Sequence, residues 1–351
     1  MIPAAVPAYA APVGSARLRS TPEAFQVEEL LAFRPSAMGE HCLVRVRKRG
    51  WTTEAVARLL AERTGVGRGG VSFAGLKDRH AVTTQWFSVH SPQPLPALVP
   101  GELEAGVRVL ETVRNTRKLR RGALAGNRFT LRLDAVDAPP RAVGRRLQAV
   151  AIRGVPNYFG PQRFGREGRN LEQARRWLLQ GEPVRGCTVR GLLLSAVRSE
   201  CFNRLLARRV AAGTWDRLQV GDRAKLDGSG SHFAVECVDA GLLRRTVRGE
   251  LHPTGPLPGV GGDGPAGAVA SLEAEVLAEA PALLAALEAR GVRADRRSLR
   301  LMPRRLAWRW PDAQTLELSF TLTSGGYATA VIAEVLATRQ DDGFELDGDG
   351  R

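Results

Sequence analysis

Hydrophobic and polar residues alternate along several short stretches of the first third of the chain. The alternation is clearest in HCLVRVRKRG, residues 41–50, where Cys42, Val44 and Val46 share one face and cations lie on the other. A period of two is typical of a half-exposed β-strand. The same pattern predicts strands in these further segments: 22–33, 71–76, 83–89, and both sides of a basic turn within 107–136.

A period close to that of the α-helix predicts helices between and after these strands. The first runs over 53–63, where apolar side chains recur at helical spacing and Thr52 or Thr53 caps the start. Later stretches with the same period begin near Pro139 and Asn170, or cover 195–213 and 271–291. Strand, turn and helix patterns return over 299–337. Strands interleave with helices, which is typical of the mixed α/β or α+β classes.

Three segments lack a regular pattern. Residues 1–16 are predicted to be a flexible arm, and the acidic tail over 341–351 to be disordered. Residues 252–268 are dense in Gly and Pro, which predicts a loop that is ordered at first and flexible later. The pattern of residues also changes after about residue 156, which makes this position a candidate domain boundary.

Composition points to a polyanionic partner. The chain has 351 residues and a formal net charge of +15, and its sequence pI is near 10.9. Such an excess of cations favours nucleic acid first and an anionic membrane second. Nearly all the cations are Arg, and Ala, Gly, Leu and Val are abundant, so GC-rich codon usage is an alternative origin of the charge.

Several classes of protein are disfavoured. The cysteines are far apart and form no CxxC pair, which fits a reducing cytoplasm better than a disulfide framework or a zinc site. The start lacks the features of a signal peptide, and no apolar run of about 18 residues exists to span a membrane. The histidines lack metal-ligand spacing, and no Walker A loop or nucleophile elbow is present. GVGRGG, residues 65–70, follows a helix and precedes a strand, the reverse of a dinucleotide-binding turn.

One carboxylate stands between cations at the end of a predicted buried strand. It is Asp78, in the segment FAGLKDRHAVTTQWFSV over 73–89, with Lys77 before it and Arg79 after it. Flanking cations favour the charged form of a carboxylate. The segment is therefore either a solvated hairpin tip or the position of a catalytic aspartate held ionised.

A second candidate region lies between the two strands of 107–136. The turn RNTRKLRRG is either a solvated basic turn or a phosphate-binding one, because Arg forks match phosphate oxygens. Its cations are Arg114, Arg117, Lys118, Arg120 and Arg121. In the strand that follows, Asn127 and Phe129 lie two apart and share a face. Phe129 is either a core residue or, beside the amide, part of a clamp for an unstacked base.

The segment 73–89 resembles the signature of the tRNA pseudouridine synthase D family. Other blocks resemble that family in the same order and together cover most of 18–338. These blocks are PEAFQVEEL, GEHCLVRVRKRGWTT, KLRRGALAGNRFTL, GVPNYFGPQRFG, LSAVRSECFNRLLARRV, GDRAKLDGSGSHF and LTSGGYATAVIAEVL.

The resemblance implies isomerisation of a tRNA uridine to pseudouridine, classically at position 13 in the D-arm, without cofactor or metal. The essential aspartate of the family falls on Asp78, which either attacks C1′ or abstracts a sugar proton. The resemblance places Phe129 on the flipped base, Asn127 beside it, and Arg19 near the aspartate; Lys77 is expected to contact substrate. The segment NYFGPQRFG is either a structural hinge, through its aromatic and Gly residues, or a contact to RNA through Arg163. Flipping is necessary because a stacked uracil cannot be detached and turned.

The resemblance also implies an α+β fold, with a mixed, mainly antiparallel sheet and an inserted α/β domain. We expect a discontinuous catalytic core over 1–155 and 304–340, and an inserted domain over 156–303. A basic cleft between the two would hold tRNA, with the protein acting as a cytoplasmic monomer. One alternative is a catalytically silent RNA-binding chaperone for tRNA folding, which would be expected to have lost Asp78. Another is a generic basic DNA- or RNA-binding protein, which would not explain the blocks.

Overall fold

A computed structural model describes residues 5–120 and 122–339. The helices are α1 (Thr53–Thr64), α2 (Pro140–Arg153), α3 (Pro161–Phe164), α4 (Arg169–Gln180), α5 (Cys187–Ala211), α6 (Ala240–Val247), α7 (Gly267–Leu277), α8 (Pro281–Glu288) and α9 (Ala328–Ala333). The strands are β1 (Ser15–Leu18), β2 (Phe25–Leu31), β3 (His41–Lys48), β4 (Val71–Phe73), β5 (Val82–His90), β6 (Gly101–Glu104), β7 (Val107–Asn115), β8 (Leu124–Asp134), β9 (Val155–Pro156), β10 (Arg223–Leu226), β11 (His232–Ala234), β12 (Leu251–Leu257), β13 (Asp295–Ser298), β14 (Arg300–Leu301), β15 (Arg304–Asp312), β16 (Thr315–Thr323) and β17 (Ala337–Arg339).

The largest sheet has 11 strands, in the main order β15-β16-β8-β2-β5-β3-β7-β6. Strand β4 pairs with β5, and β1 pairs with β8 and β17. The β1–β17 and β2–β5 pairs are parallel, and the other pairs of this sheet are antiparallel. The α+β class with a mixed, mainly antiparallel sheet is confirmed.

Two helices cover different halves of one face of this sheet. Helix α1 begins where Thr52 accepts a hydrogen bond from Ala55 N at 3.1 Å, and it buries Val56 and Leu60 in the core under β3, β5 and β7. Helix α2 packs over β8 and β16 with α9. A single row of side chains crosses this face from one half to the other: Phe320, Phe129, Val27, Thr83, Lys48 and Val107.

The smaller sheets come from the middle of the chain. Strands β11, β10, β12 and β13 form one sheet, and β9 pairs with β14. Strands of the large sheet lie within 15–134 and 304–339. The inserted domain over 156–303 and the discontinuous core stay a prediction.

The prediction of a flexible arm over 1–16 is wrong for the described residues 5–16. Tyr9 donates a hydrogen bond to the carbonyl of Gly154 at 2.6 Å, and Ala8 N donates to Glu334 Oε2 at 3.0 Å. Residues 15 and 16 belong to β1. The segment is held because its backbone donors and its aromatic ring find partners in distant parts of the chain. The acidic tail predicted over 341–351 lies outside the described residues.

Three predictions in the remainder of the chain are also corrected. The loop predicted from residue 252 is strand β12 up to Leu257, because β10 and β13 supply pairing partners on both sides. The single helix predicted over 271–291 is α7 and α8, since Pro281 cannot continue α7 and instead begins α8. The strand predicted over 71–76 ends at Phe73, and a loop follows it.

Candidate active site

The loop between β4 and β5 presents the Asp78 carboxylate at the surface of the large sheet. Its Oδ2 accepts a hydrogen bond from Arg19 Nη1 at 2.7 Å, and its Oδ1 accepts from His80 N at 2.9 Å. The side chain keeps 24% of its exposure. The carboxylate is thus oriented on both oxygens and remains accessible to a ligand.

Arg19 reaches Asp78 from the end of β1. Its backbone is left-handed, with φ of 65°, a conformation that costs a non-glycine residue about 1–3 kcal/mol and is frequent at functional sites. Its guanidinium lies 4.2 Å from the centre of the Phe25 ring. Phe25 in turn meets Phe129 edge to face, with 6.4 Å between ring centres. The structure therefore brings Asp78, Arg19 and Phe129 together through Phe25.

The backbone of the Asp78 loop is fixed by side chains from several elements. Thr53, in the first turn of α1, accepts a hydrogen bond from Lys77 N at 2.9 Å. Gln85, in β5, donates to the carbonyl of Gly75 at 2.6 Å. Gly50 N donates to the carbonyl of Arg79 at 3.1 Å. A loop held at so many points is preorganised, as a catalytic group requires.

The side chain of Lys77 turns into the protein. Its Nζ lies 2.8 Å from Glu29 Oε1, and that glutamate side chain has 0% exposure. Burial raises the pKa of Glu29, while the Lys77 ammonium counteracts this. Glu29 Oε2 also accepts from Trp86 N at 2.9 Å. A contact between Lys77 and substrate therefore stays a prediction, and the contact present is with Glu29.

Phe129 and Asn127 occupy neighbouring positions of β8 beside this loop. Phe129 is 6% exposed and stacks on Phe320 with 5.5 Å between ring centres, so most of its ring belongs to the core. Asn127 pairs across the sheet with Glu29. Its Oδ1 is buried without a hydrogen-bond partner among the described residues, and the same holds for Arg19 Nε. A buried acceptor without a partner, and a donor without one on the guanidinium that holds Asp78, suit a polar ligand.

The basic turn divides into anchoring and exposed residues. Arg114 donates to the carbonyls of Ser91 and Gln93 at 2.5 and 2.6 Å, so its guanidinium holds two parts of the fold together. Leu119 is buried at 1% exposure and anchors the turn. The exposed cations of the turn are Arg117, Lys118 and Arg120. Arg121 lies outside the described residues.

Arg163 lies far along the chain from the basic turn and is half-buried. Its guanidinium donates to Ser195 Oγ at 3.1 Å and to Tyr327 OH at 3.0 Å. It also lies 5.3 Å from the centre of the Phe159 ring. These contacts join α3, α5 and the residue before α9. They favour a structural role for Arg163, and its predicted contact with RNA stays a prediction.

Two buried charged residues of the site were missed in the sequence. They are Glu29 and Lys48, with 2% and 1% exposure. Lys48 was recognisable, because it continues the inward phase of Val44 and Val46 at the end of β3. The burial of Glu29 was harder to recognise, since a charged residue in a half-exposed strand is usually on the outer face.

Among residues 5–120 and 122–339, no group of three or more His, Cys, Asp or Glu is placed to hold a metal ion. In the same part of the chain, every helix is too short or too polar to cross a bilayer.

Comparison with known proteins identifies close relatives. A sequence profile described as tRNA pseudouridine synthase D matches residues 8–188 and 185–335. The tRNA pseudouridine synthase D of Xanthomonas euvesicatoria pv. vesicatoria (strain 85-10) is 46% identical over 343 residues, which covers 93% of each chain. That of Nitrosococcus oceani is 46% identical over 341 residues, covering 96% of this chain and 95% of the relative.

A solved structure has the same fold. The crystal structure named for tRNA pseudouridine synthase D of Methanosarcina mazei superposes with a TM-score of 0.68 and covers 94% of this chain and 95% of its own. Sequence identity is 21%, so this likeness concerns the fold alone.

Proposed function

Because the chain belongs to the tRNA pseudouridine synthase D family, we propose that it isomerises a uridine of the tRNA D-arm, at position 13, to pseudouridine. Membership of this family makes the chain an isomerase that modifies RNA. What we propose is its tRNA substrate, the target position and the residues that act. The observation that carries it is Asp78, a partly exposed carboxylate whose Oδ2 lies 2.7 Å from Arg19 Nη1.

The reaction conserves all atoms of the nucleotide. The bond between N1 and C1′ breaks, the uracil turns, and a bond forms between C5 and C1′; C5 loses its proton and N1 gains one. Asp78 either attacks C1′ or removes a sugar proton, and both routes require the ionised carboxylate. Arg19 Nη1 holds Oδ2 and His80 N holds Oδ1, so the carboxylate has a fixed orientation for either role.

The base must leave the RNA stack before it can turn. We propose that it enters between the Asp78 loop and β8, where Asn127 Oδ1 has no hydrogen-bond partner among the described residues and suits an N–H of uracil. Phe129 would contact the base with the small exposed part of its ring, and Phe320 and Phe25 fix the orientation of that ring. Stacking of a base on an aromatic ring is worth about 1–3 kcal/mol.

The position of the product tests the function directly. We expect unmodified tRNA transcripts incubated with the protein to give carbodiimide-dependent reverse-transcription stops at position 13. A transcript with cytidine at that position is the control and should give none. Stops at another position would leave a pseudouridine synthase with a different target. Tight binding of tRNA without any stop would favour a silent RNA-binding protein.

Binding of tRNA should weaken steeply as salt concentration rises, because cations that neutralise phosphates release counterions. We assign part of this effect to the basic turn. Changing Arg117, Lys118 and Arg120 together to Gln should lower the slope of log Kd against log salt by about two to three. Filter binding over a salt series measures the slope.

The control for the basic turn keeps its charge. Exchanging Arg for Lys and Lys for Arg at Arg117, Lys118 and Arg120 should leave the slope unchanged. An unaltered slope in the glutamine variant would mean that the turn is solvated and that the phosphates contact another surface.

A further inference from the structure

Lys48 is a buried cation directly behind the candidate catalytic loop. Its residue exposure is 1%. Its Nζ donates to the carbonyls of Trp51 at 2.8 Å and Asp78 at 2.9 Å, and it lies 3.4 Å from the carbonyl of Lys77. The three N–H donors of one ammonium are therefore directed at three backbone carbonyls, two of which belong to the loop.

Burial of this charge is costly and lacks the usual compensation. Among the described residues no carboxylate is within ion-pair distance of Lys48; Asp78, Glu54 and Glu29 attract its charge at longer range, and Lys77 repels it. A buried cation satisfied only by carbonyl dipoles costs stability that an apolar residue would save. The presence of Lys48 at this position therefore needs an explanation other than stability.

We propose that Lys48 is a positioning residue that fixes the backbone at Lys77 and Asp78 and places positive charge behind the catalytic carboxylate. This inference rests on the function proposed above. Register supports it, because Lys48, Thr83, Val27 and Phe129 are directly opposite one another on successive strands. The same row of the sheet thus holds the loop at one end and the proposed base-contacting ring at the other.

Only the protonated form of Lys48 has enough N–H donors to face all three backbone carbonyls. Burial lowers the pKa of Lys48 to about 8. A neutral amine has two N–H donors and a lone pair, and the lone pair would face a carbonyl oxygen. The loop is therefore fully held at neutral pH and loosens as pH rises through about 8, so turnover should decline in the same range.

The test replaces Lys48 with Met, which preserves length and removes the charge. We expect the single-turnover rate of pseudouridine formation at neutral pH to fall about 30-fold, on the scale of a lost hydrogen bond to a charged group. The Kd for tRNA should stay within about twofold. The decline of the rate at alkaline pH seen in the wild type should disappear. Lys225→Met is the matched control, since Lys225 also donates to a backbone carbonyl, that of Arg296 at 2.9 Å, in the smaller sheet.

Hydrogen exchange separates this inference from the proposed function. The amide of His80, which donates to Asp78 Oδ1, should exchange faster in K48M than in the wild type, whether or not the protein turns over tRNA. Unchanged exchange and an unchanged rate would overturn the inference. A lower rate with an unaltered alkaline decline and a lower melting temperature would overturn it too, because Lys48 would then only support the fold.

Discussion

Replacing Asp78 with Asn should abolish pseudouridine formation and leave the Kd for tRNA within about threefold. Asn has the same shape and can still accept from His80 N, but it carries no charge and can neither attack C1′ nor remove a proton. The expected loss in single-turnover rate is about 10⁴-fold or more, the scale of removing an essential nucleophile or base. Rate and affinity are measured on the same transcript, by pseudouridine mapping and filter binding.

Asp216→Asn is the matched control for this change. Asp216 is likewise paired with an arginine, since it lies 2.8 Å from Arg153, and its side chain is 10% exposed. The Asp216→Asn variant should form pseudouridine at the wild-type rate. Turnover retained in D78N would remove Asp78 from the mechanism. Loss of tRNA binding in that variant would instead assign Asp78 to RNA recognition.

Alternation along the first third of the chain predicted most of the large sheet. The prediction succeeded for β3 because one face of that strand lies under α1, so burial imposes the period of two there, whereas β5 is buried on both faces. Lys48 shows how far this argument extends: it stands at an inward position of β3, although the cations of this strand were predicted to lie on the outer face. Backbone carbonyls that accept hydrogen bonds from its ammonium allow a lysine to be buried there. They belong to residues outside β3, so the alternation within the strand does not predict them.

Strand β12 could not be predicted in the same way. Its residues include Pro253, Gly255 and Pro256, which favour a loop because Pro lacks an N–H and Gly adds conformational entropy. Partners from β10 and β13 nevertheless pair with it, and six of its seven residues are buried. Tertiary context thus overrides the local preference.

Sequence proximity was a poor guide to the contacts of Lys77. Lys77 is adjacent in the chain, yet its ammonium pairs with Glu29. A cation that does touch the carboxylate is Arg19, which is 59 residues away. Adjacent side chains of a loop point in different directions, so a contact of this kind depends on the register of β1 and β2 against β8. Only the resemblance to the family indicated Arg19.

Arg19→Met should lower the single-turnover rate by about 150-fold, or about 3 kcal/mol, with little change in the Kd for tRNA. The value follows from removing one partner of a largely buried, charge-assisted hydrogen bond, which costs about 2–5 kcal/mol, with allowance for the exposed part of Asp78. Arg19→Lys should recover part of the rate, because it keeps the charge and loses the fork and the contact with Phe25. Rates are compared on one tRNA transcript at equal saturation.

Arg45→Met is the matched control for Arg19. Arg45 also pairs with a carboxylate, that of Glu28, and lies 6.0 Å from the centre of an aromatic ring, that of Trp86; these partners and Glu111 all lie outside the Asp78 loop. Equal losses in R45M and R19M would reduce the role of Arg19 to general stability. A wild-type rate in R19M would mean that Asp78 is oriented by His80 N alone. Loss in R19M, partial recovery in R19K and a wild-type rate in R45M would together require a cation at this position, because R19K differs from R19M in keeping the charge beside Asp78 and R45M leaves Arg19 in place.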